Sequence, residues 1–185
     1  MIDEISSDAK QGMEKSLEGL RHELASIRTG RATTSLLDGI RVNYYGSMVP
    51  IKQVANIGVP EPRLVAIQPW EPKMVPVIEK AVLSSELGLT PVSDGTIIRL
   101  PIPQLTEERR HDLARMVHKL AEEGRISIRN VRRDANELLK EASKEGEISE
   151  DDSHRGQRDI QDLTDEYIRK VDQMLEVKEQ EIMEV

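Results

Sequence analysis

Four arginines, Arg125, Arg129, Arg132 and Arg133, stand close enough in the chain to act as one group. At about 100° per residue on a helix they fall within about a quarter-turn of one another. No Asp or Glu interrupts residues 125–133. A guanidinium presents a rigid, bidentate fork of donors that fits phosphate oxygens, so four on one face suit a nucleic-acid backbone. The bland reading is a solvated helix face whose charges pair with acids on a neighbouring element. Arg28, Arg31, Arg109 and Arg110 are further candidates for phosphate contact, although capping and solvation account for them almost as well.

Other chemistry is sparse. The chain has no Cys, which removes thiolate metal sites, disulfides and cysteine nucleophiles. His22, His111, His118 and His154 lack metal-ligand spacing, and Glu150, Asp151 and Asp152 read as a helix N-terminus rather than an acid–base cluster. No GxxxxGK[ST] loop occurs, so any nucleotide hydrolysis belongs to a partner. We therefore expect no catalytic residue, no metal and no cofactor. Phe is absent and Trp70 is the single Trp, so bases cannot be stacked on an aromatic platform. Structured RNA, however, is recognised largely through shape and backbone. Trp70, between Pro69 and Pro72, is expected to pack inside a small domain, and Tyr44 and Tyr45 to flank a strand.

Taken alone, the net charge of −8 opposes such a partner. Yet residues 144–185 alone carry six basic and fourteen acidic side chains, which accounts for the whole excess. An acidic protein can thus hold a local basic face. No apolar run approaches the length of a membrane span, and a soluble cytoplasmic protein is the expectation.

The arginines need an element to hold them in line. Residues 105–143 contain one glycine, Gly124, and no proline, which predicts a single helix roughly 55 Å long. Leu113, Val117, Leu120, Gly124, Ile128, Val131, Ala135 and Leu138 give it one apolar stripe beside the arginine row. Thr106 is the expected N-cap and Gly146 the stop. Residues 3–28 predict a second helix, with Met13, Leu17, Leu20, Leu24 and Ile27 as its seam, Arg28 at its C-terminus and Gly30 as a left-handed stop. A third helix starts at Ser149, where Asp152 completes a weak capping box, and buries Ile160, Leu163, Tyr167, Val171 and Met174.

All nine prolines lie in residues 31–104. Strands are predicted from Ile40, from Met48 to Val59, at Leu64–Ile67 and at Thr96–Leu100. A helix over residues 72–87 carries Val75, Ile78 and Val82 on one face. The fold class is α+β: a long three-helix bundle from residues 1–30 and 105–185, with a small β/α/β domain, residues 31–104, inserted. The chain leaves and re-enters the bundle near 30–31 and 104–105. Thr29, Gly30, Arg31, Pro103, Gln104 and Leu105 are the expected hinge, stiffened by Pro101 and Pro103. A rigid interface is the alternative that spacing leaves open.

The strings IRTGRA (27–32), YYG (44–46), SELGLTP (85–91), LTEERR (105–110), RNVRRDAN (129–136) and ISEDD (148–152) resemble the bacterial ribosome recycling factor family over essentially the whole chain. SELGLTP departs from the family's more usual SDLGLNP in a loop of the small domain. The resemblance implies an L-shaped outline like that of tRNA, and a factor that lodges between the subunits of the post-termination 70S ribosome. With elongation factor G and GTP, such a factor splits the subunits for reuse. It also implies that Arg132 is the essential arginine of RNVRRDAN and that Arg129 is its neighbour on large-subunit rRNA. The protein is expected to act as a monomer. Two other classes of function are a helical adaptor docking proteins through the acidic third helix and, behind it, an enzyme.

Overall fold

The computed structural model describes residues 1–184, and the chain divides into two compact units: residues 1–29 with 107–184, and residues 30–106. The first unit holds α1 (Ile2–Ser26), α3 (Glu107–Lys144) and α4 (Glu150–Met183). The second holds β1 (Arg41–Tyr44), β2 (Ser47–Pro50), β3 (Ala55–Glu61), β4 (Leu64–Pro69), α2 (Met74–Leu83), β5 (Val92–Ser93) and β6 (Ile98–Pro101).

In the bundle each helix buries one stripe. On α1 it is Ala9, Met13, Leu17, Leu20 and Leu24, and on α4 it includes Ile160, Thr164, Tyr167, Val171, Leu175 and Ile182. On α3 it is Leu113, Val117, Ala121, Ile128, Ala135, Leu139 and Ala142. Expected seam residues are displaced by one position on both α3 and α4, where Thr164 is buried and the expected Leu163 is only half-buried. Leu138 is 51% exposed whereas Leu139 is fully buried, and Leu175 rather than the half-buried Met174 is buried on α4. A helix turns once in 3.6 residues, so a 3.5-residue stripe drifts and an extra step of four must be taken. Leu120 likewise gives way to Ala121. Gly124 stays on the seam because a Cβ there would sit 3.1 Å from the Leu20 side chain.

The helix ends are chemically explicit. After α3, Gly146 adopts φ +76°, Glu147 N–H donates to Ala142 at 2.9 Å and Gly146 N–H to Ser143 at 3.2 Å. This is a Schellman ending, and glycine supplies its left-handed residue without a Cβ penalty. At α4 the Ser149 hydroxyl accepts from Asp152 N–H at 3.1 Å. The return bond of a capping box is replaced, because the hydroxyl itself donates to the Asp152 carboxylate at 2.7 Å. The end of α1 differs from expectation. Ile27 turns extended and its N–H returns to Leu24, so Arg28 lies outside the helix. Gly30, at φ +75°, belongs to the second unit, where a Cβ would meet the Leu105 side chain at 3.0 Å.

The second unit has a β1–β2 hairpin and an antiparallel sheet ordered β3-β4-β6-β5. Its aliphatic core includes Leu37, Ile51, Val65, Ile67, Ile78, Val82, Ile98 and Leu100. The face of α2 predicted from Val75, Ile78 and Val82 is buried, although the helix starts at Met74 and stops at Leu83. Strand β5 and the 3-10 turn Thr34–Leu37 were not apparent from periodicity, being two and four residues long. Trp70 is 60% exposed rather than packed. On β4 the inward positions are Val65, Ile67 and Pro69, so strand alternation sends residue 70 to the other face. Leu139→Ala should cost about 2–5 kcal/mol in urea unfolding, and Leu138→Ala within about 0.5 kcal/mol of zero. Equal losses at the two positions would refute the one-residue displacement of the seam.

Candidate RNA-docking surface

The bundle packing turns Arg125, Arg129, Arg132 and Arg133 to the side of α3 next to its buried stripe. Their environments differ. Arg125 is only 18% exposed and spans to α4, donating from Nε and Nη2 to Asp172 Oδ1 at 3.0 and 2.6 Å. Its Nη1 donates to Glu122 Oε2 at 3.1 Å. Arg129, 44% exposed, donates from Nη1 to the other oxygen of the same carboxylate at 3.1 Å. Arg133 is exposed and lies over its neighbour Asp134 at 3.2 Å. Arg132 is half-buried, and its Nη1 donates to the side-chain carbonyl of Gln161 on α4 at 3.1 Å.

An acid-free stretch therefore does not mean unpaired arginines. The carboxylates come from one turn before it, from the residue after it and from the facing helix. Hydrogen bonds from Arg125 and Arg129 hold the Glu122 carboxyl below the usual carboxylate range. The Arg125 guanidinium is pushed further towards its charged form, chiefly by Asp172. Among the described residues, Arg132 is the member of the row whose hydrogen bond goes to a neutral acceptor. Its positive charge is oriented without being cancelled.

Arg109 and Arg110 are not gathered with the row. Arg109 and Arg110 lie in the first turn of α3, on the order of 20 Å along the helix from Arg125. Arg109 is exposed, and the half-buried Arg110 has a buried Nε without a partner. Arg28 is exposed beyond the end of α1, and Arg31 is exposed in the second unit. Of the proposed hinge residues, Thr29 is buried, Pro103 and Gln104 are exposed, and Leu105 is half-buried.

Three participants escaped the reading of the sequence. Glu122 had a signal, since Glu and Arg three apart on a helix are neighbours. Asp172 and Gln161 had none, because their positions depend on the register between α3 and α4. No group of metal-ligating side chains is present among the described residues. His118 pairs with Glu179, while His111 and His154 sit 3.9 Å from Glu107 and Glu150. Tyr44 closes β1 and Tyr45 occupies the hairpin turn at φ +49°. Both phenols donate to Glu71, at 2.6 and 3.0 Å, and Lys73 lies 3.7 Å above the Tyr45 ring. No helix among the described residues is long and apolar enough to cross a membrane.

Comparison with known proteins bears on the family and the fold. A family model described as "Ribosome recycling factor" matches residues 20–183. The ribosome-recycling factor of Thioalkalivibrio sulfidiphilus is 57% identical over 185 residues, covering 100% of both chains. That of Nitrosococcus oceani is 55% identical, covering 100% of this chain and 99% of its own. A solution structure of the ribosome recycling factor superposes with a TM-score of 0.74 at 45% identity, covering 100% of this chain and 98% of that one. A second structure comprises models for the T. thermophilus ribosome recycling factor and the E. coli elongation factor G bound to the E. coli post-termination complex. It gives a TM-score of 0.64 at 47% identity and covers 99% of each chain.

Asp172→Asn should lower stability by about 1 kcal/mol at neutral pH, because Arg125 loses a carboxylate bridging two helices. A folded-state carboxyl held below its usual pKa adds stability that is complete above the usual range and lost as pH falls through the depressed value. Wild type should therefore exceed Glu122→Gln in stability at neutral pH, and the two should converge on acidification. Urea unfolding across a pH series checks this, and a gap that widens in acid would contradict it.

Proposed function

The chain belongs to the ribosome recycling factor family, and from that premise we propose that it binds the post-termination ribosome and, with elongation factor G and GTP, parts the two subunits for reuse. It is a translation factor rather than an enzyme. It works in the cytoplasm as a monomer, and nucleotide hydrolysis is the partner's task. The observation that carries the RNA-docking part is the state of Arg132: a guanidinium fixed by Gln161 and left uncancelled by any described carboxylate. Arg129 and Arg133 flank it with partly offset charge. Phosphate oxygens on large-subunit rRNA at the subunit interface are the ligand such a row fits, since arginine forks bind them without needing a stacked base.

Binding alone would not part the subunits. The bundle supplies a stiff element, and the chain crosses between its two units twice, at residues 29–30 and 106–107. We assign the pivot to Thr29, Gly30 and Arg31 on one crossing and Pro103, Gln104 and Leu105 on the other. The GTPase displaces the small unit about this pivot, and the bundle transmits the displacement to the contacts that bridge the subunits. An adaptor docking proteins through α4 explains the acidity of that helix but gives no role to an arginine held by a neutral amide.

The decisive measurement is subunit splitting on post-termination ribosomes, with and without elongation factor G and GTP. Splitting that fails with both present would reject the proposal. Arg132→Ala should weaken ribosome binding by about tenfold or more and make its salt dependence shallower by about one phosphate contact. Unchanged affinity and salt slope in a folded variant would remove Arg132 from the docking face. Because the chain has no Cys, an introduced pair can join the two crossings by one disulfide. The cross-linked protein should bind as before and fail to split, and full splitting would eliminate the pivot.

A further inference from the structure

We propose that Glu122 is a positioning residue that competes with RNA for Arg129, and that Arg125 and Asp172 hold it in place for that purpose. The proposal rests on the arginine row being an RNA-docking face and says how that face is tuned. One carboxylate is shared by two arginines: its Oε2 accepts from Arg125 and its Oε1 from Arg129, each at 3.1 Å. Arg125 cannot leave this arrangement freely. Its Nε and Nη2 are tied to Asp172 on α4 at 3.0 and 2.6 Å, and its side chain is 18% exposed. It is a staple between two helices and not a phosphate ligand.

Arg129 is in a different position. Its side chain is 44% exposed and makes one described hydrogen bond, through Nη1, so most of its N–H groups remain for a second anion. A phosphate approaching Arg129 meets a carboxylate that already holds one donor and repels the incoming charge. Glu122 is itself 51% exposed, so it faces the same solvent that RNA must displace. Arg125 and Arg129 together hold its carboxyl below the usual carboxylate range, so it stays charged further into acid than an ordinary glutamate.

The effect is a docking face with two kinds of cation. Arg132, on a neutral amide, offers its whole charge, whereas Arg129 offers a charge already partly balanced. A factor that must leave the ribosome after each cycle benefits from an affinity set below its maximum. Attenuation by a fixed carboxylate achieves this without removing the arginine, so the geometry of contact is kept.

The test measures equilibrium binding of the full chain to ribosomes over a salt series. Glu122→Gln should bind about two- to fivefold more tightly, the worth of releasing one exposed ion pair. Its salt slope should steepen by up to about one. Glu123→Gln removes the same charge from the adjacent exposed position and should change little, which separates competition for Arg129 from general repulsion. In an Arg129→Ala background the gain from Glu122→Gln should vanish. No gain, a gain matched by Glu123→Gln, or a gain that survives Arg129→Ala would each overturn the proposal. The underlying reading is followed separately by Arg132→Ala. If that variant loses affinity while Glu122→Gln gains none, only the attenuation fails; if Arg132→Ala is also silent, the docking face fails with it. Thermal unfolding by circular dichroism establishes that each variant is folded.

Discussion

The rotation of α3 about its own axis is the constraint on which the arginine row depends. Turning the helix by one residue, about 100°, would carry the row towards the core and the seam into water. What prevents this is apolar burial. Ile128 and Leu139 are fully buried and contribute roughly 1.5–3 kcal/mol each, while an exposed ion pair contributes about 1 kcal/mol at most. Packing therefore chooses the azimuth, and the ion pairs accommodate themselves to it. Small residues sharpen the choice. Ala121, Ala135 and Ala142 are buried on the seam, and Gly124 admits Leu20 so closely that a methyl group would crowd it.

With the azimuth set, the acidity of the chain becomes part of how the basic face is made. The arginines next to the seam lie within reach of α4, whose exposed side is rich in carboxylates. Asp172 engages Arg125 through two hydrogen bonds and so ties two helices together. Glu122 splits its charge between Arg125 and Arg129. A global charge of −8 and a local cationic edge are thus compatible, because the acids nearest the edge neutralise some arginines and leave others. The relevant electrostatic quantity is the charge left at each guanidinium after pairing, and Arg132 keeps most.

Much of this was legible before any coordinates. Helices as long as α3 and α4 declare themselves by period, and their caps at Ser149 and Gly146 are written in residue types with few other uses. The drift of the seam from Leu138 to Leu139 was not legible, because successive leucines offer either register and only packing against α1 and α4 decides. Trp70 misled through its hydrophobicity. Its exposure follows from strand parity counted from Val65 and Ile67, a signal present in the sequence but outweighed by residue type. Within the row, the clustering of arginines was visible while their inequality was not. That inequality rests on Asp172 and Gln161, about forty-seven and twenty-nine residues away from their partners.

The distinction between Arg125 and Arg132 comes down to one amide. Gln161 donates from Nε2 to the Asp165 carboxylate at 2.8 Å, one turn further along α4. A carboxylate only accepts and an amide nitrogen only donates, so this bond fixes which end of the Gln161 amide faces Asp165. The carbonyl oxygen is thereby the end presented to Arg132, which it meets at 3.1 Å. Were residue 161 a glutamate, Arg132 would be held by a full negative charge as Arg125 is. A leucine there would leave the guanidinium free to wander among rotamers. The neutral amide avoids both outcomes: it orders the arginine and leaves its charge unbalanced. The acid that makes this possible, Asp165, stands one hydrogen bond back from the arginine. In this way the acidic helix positions the basic face without neutralising its central residue.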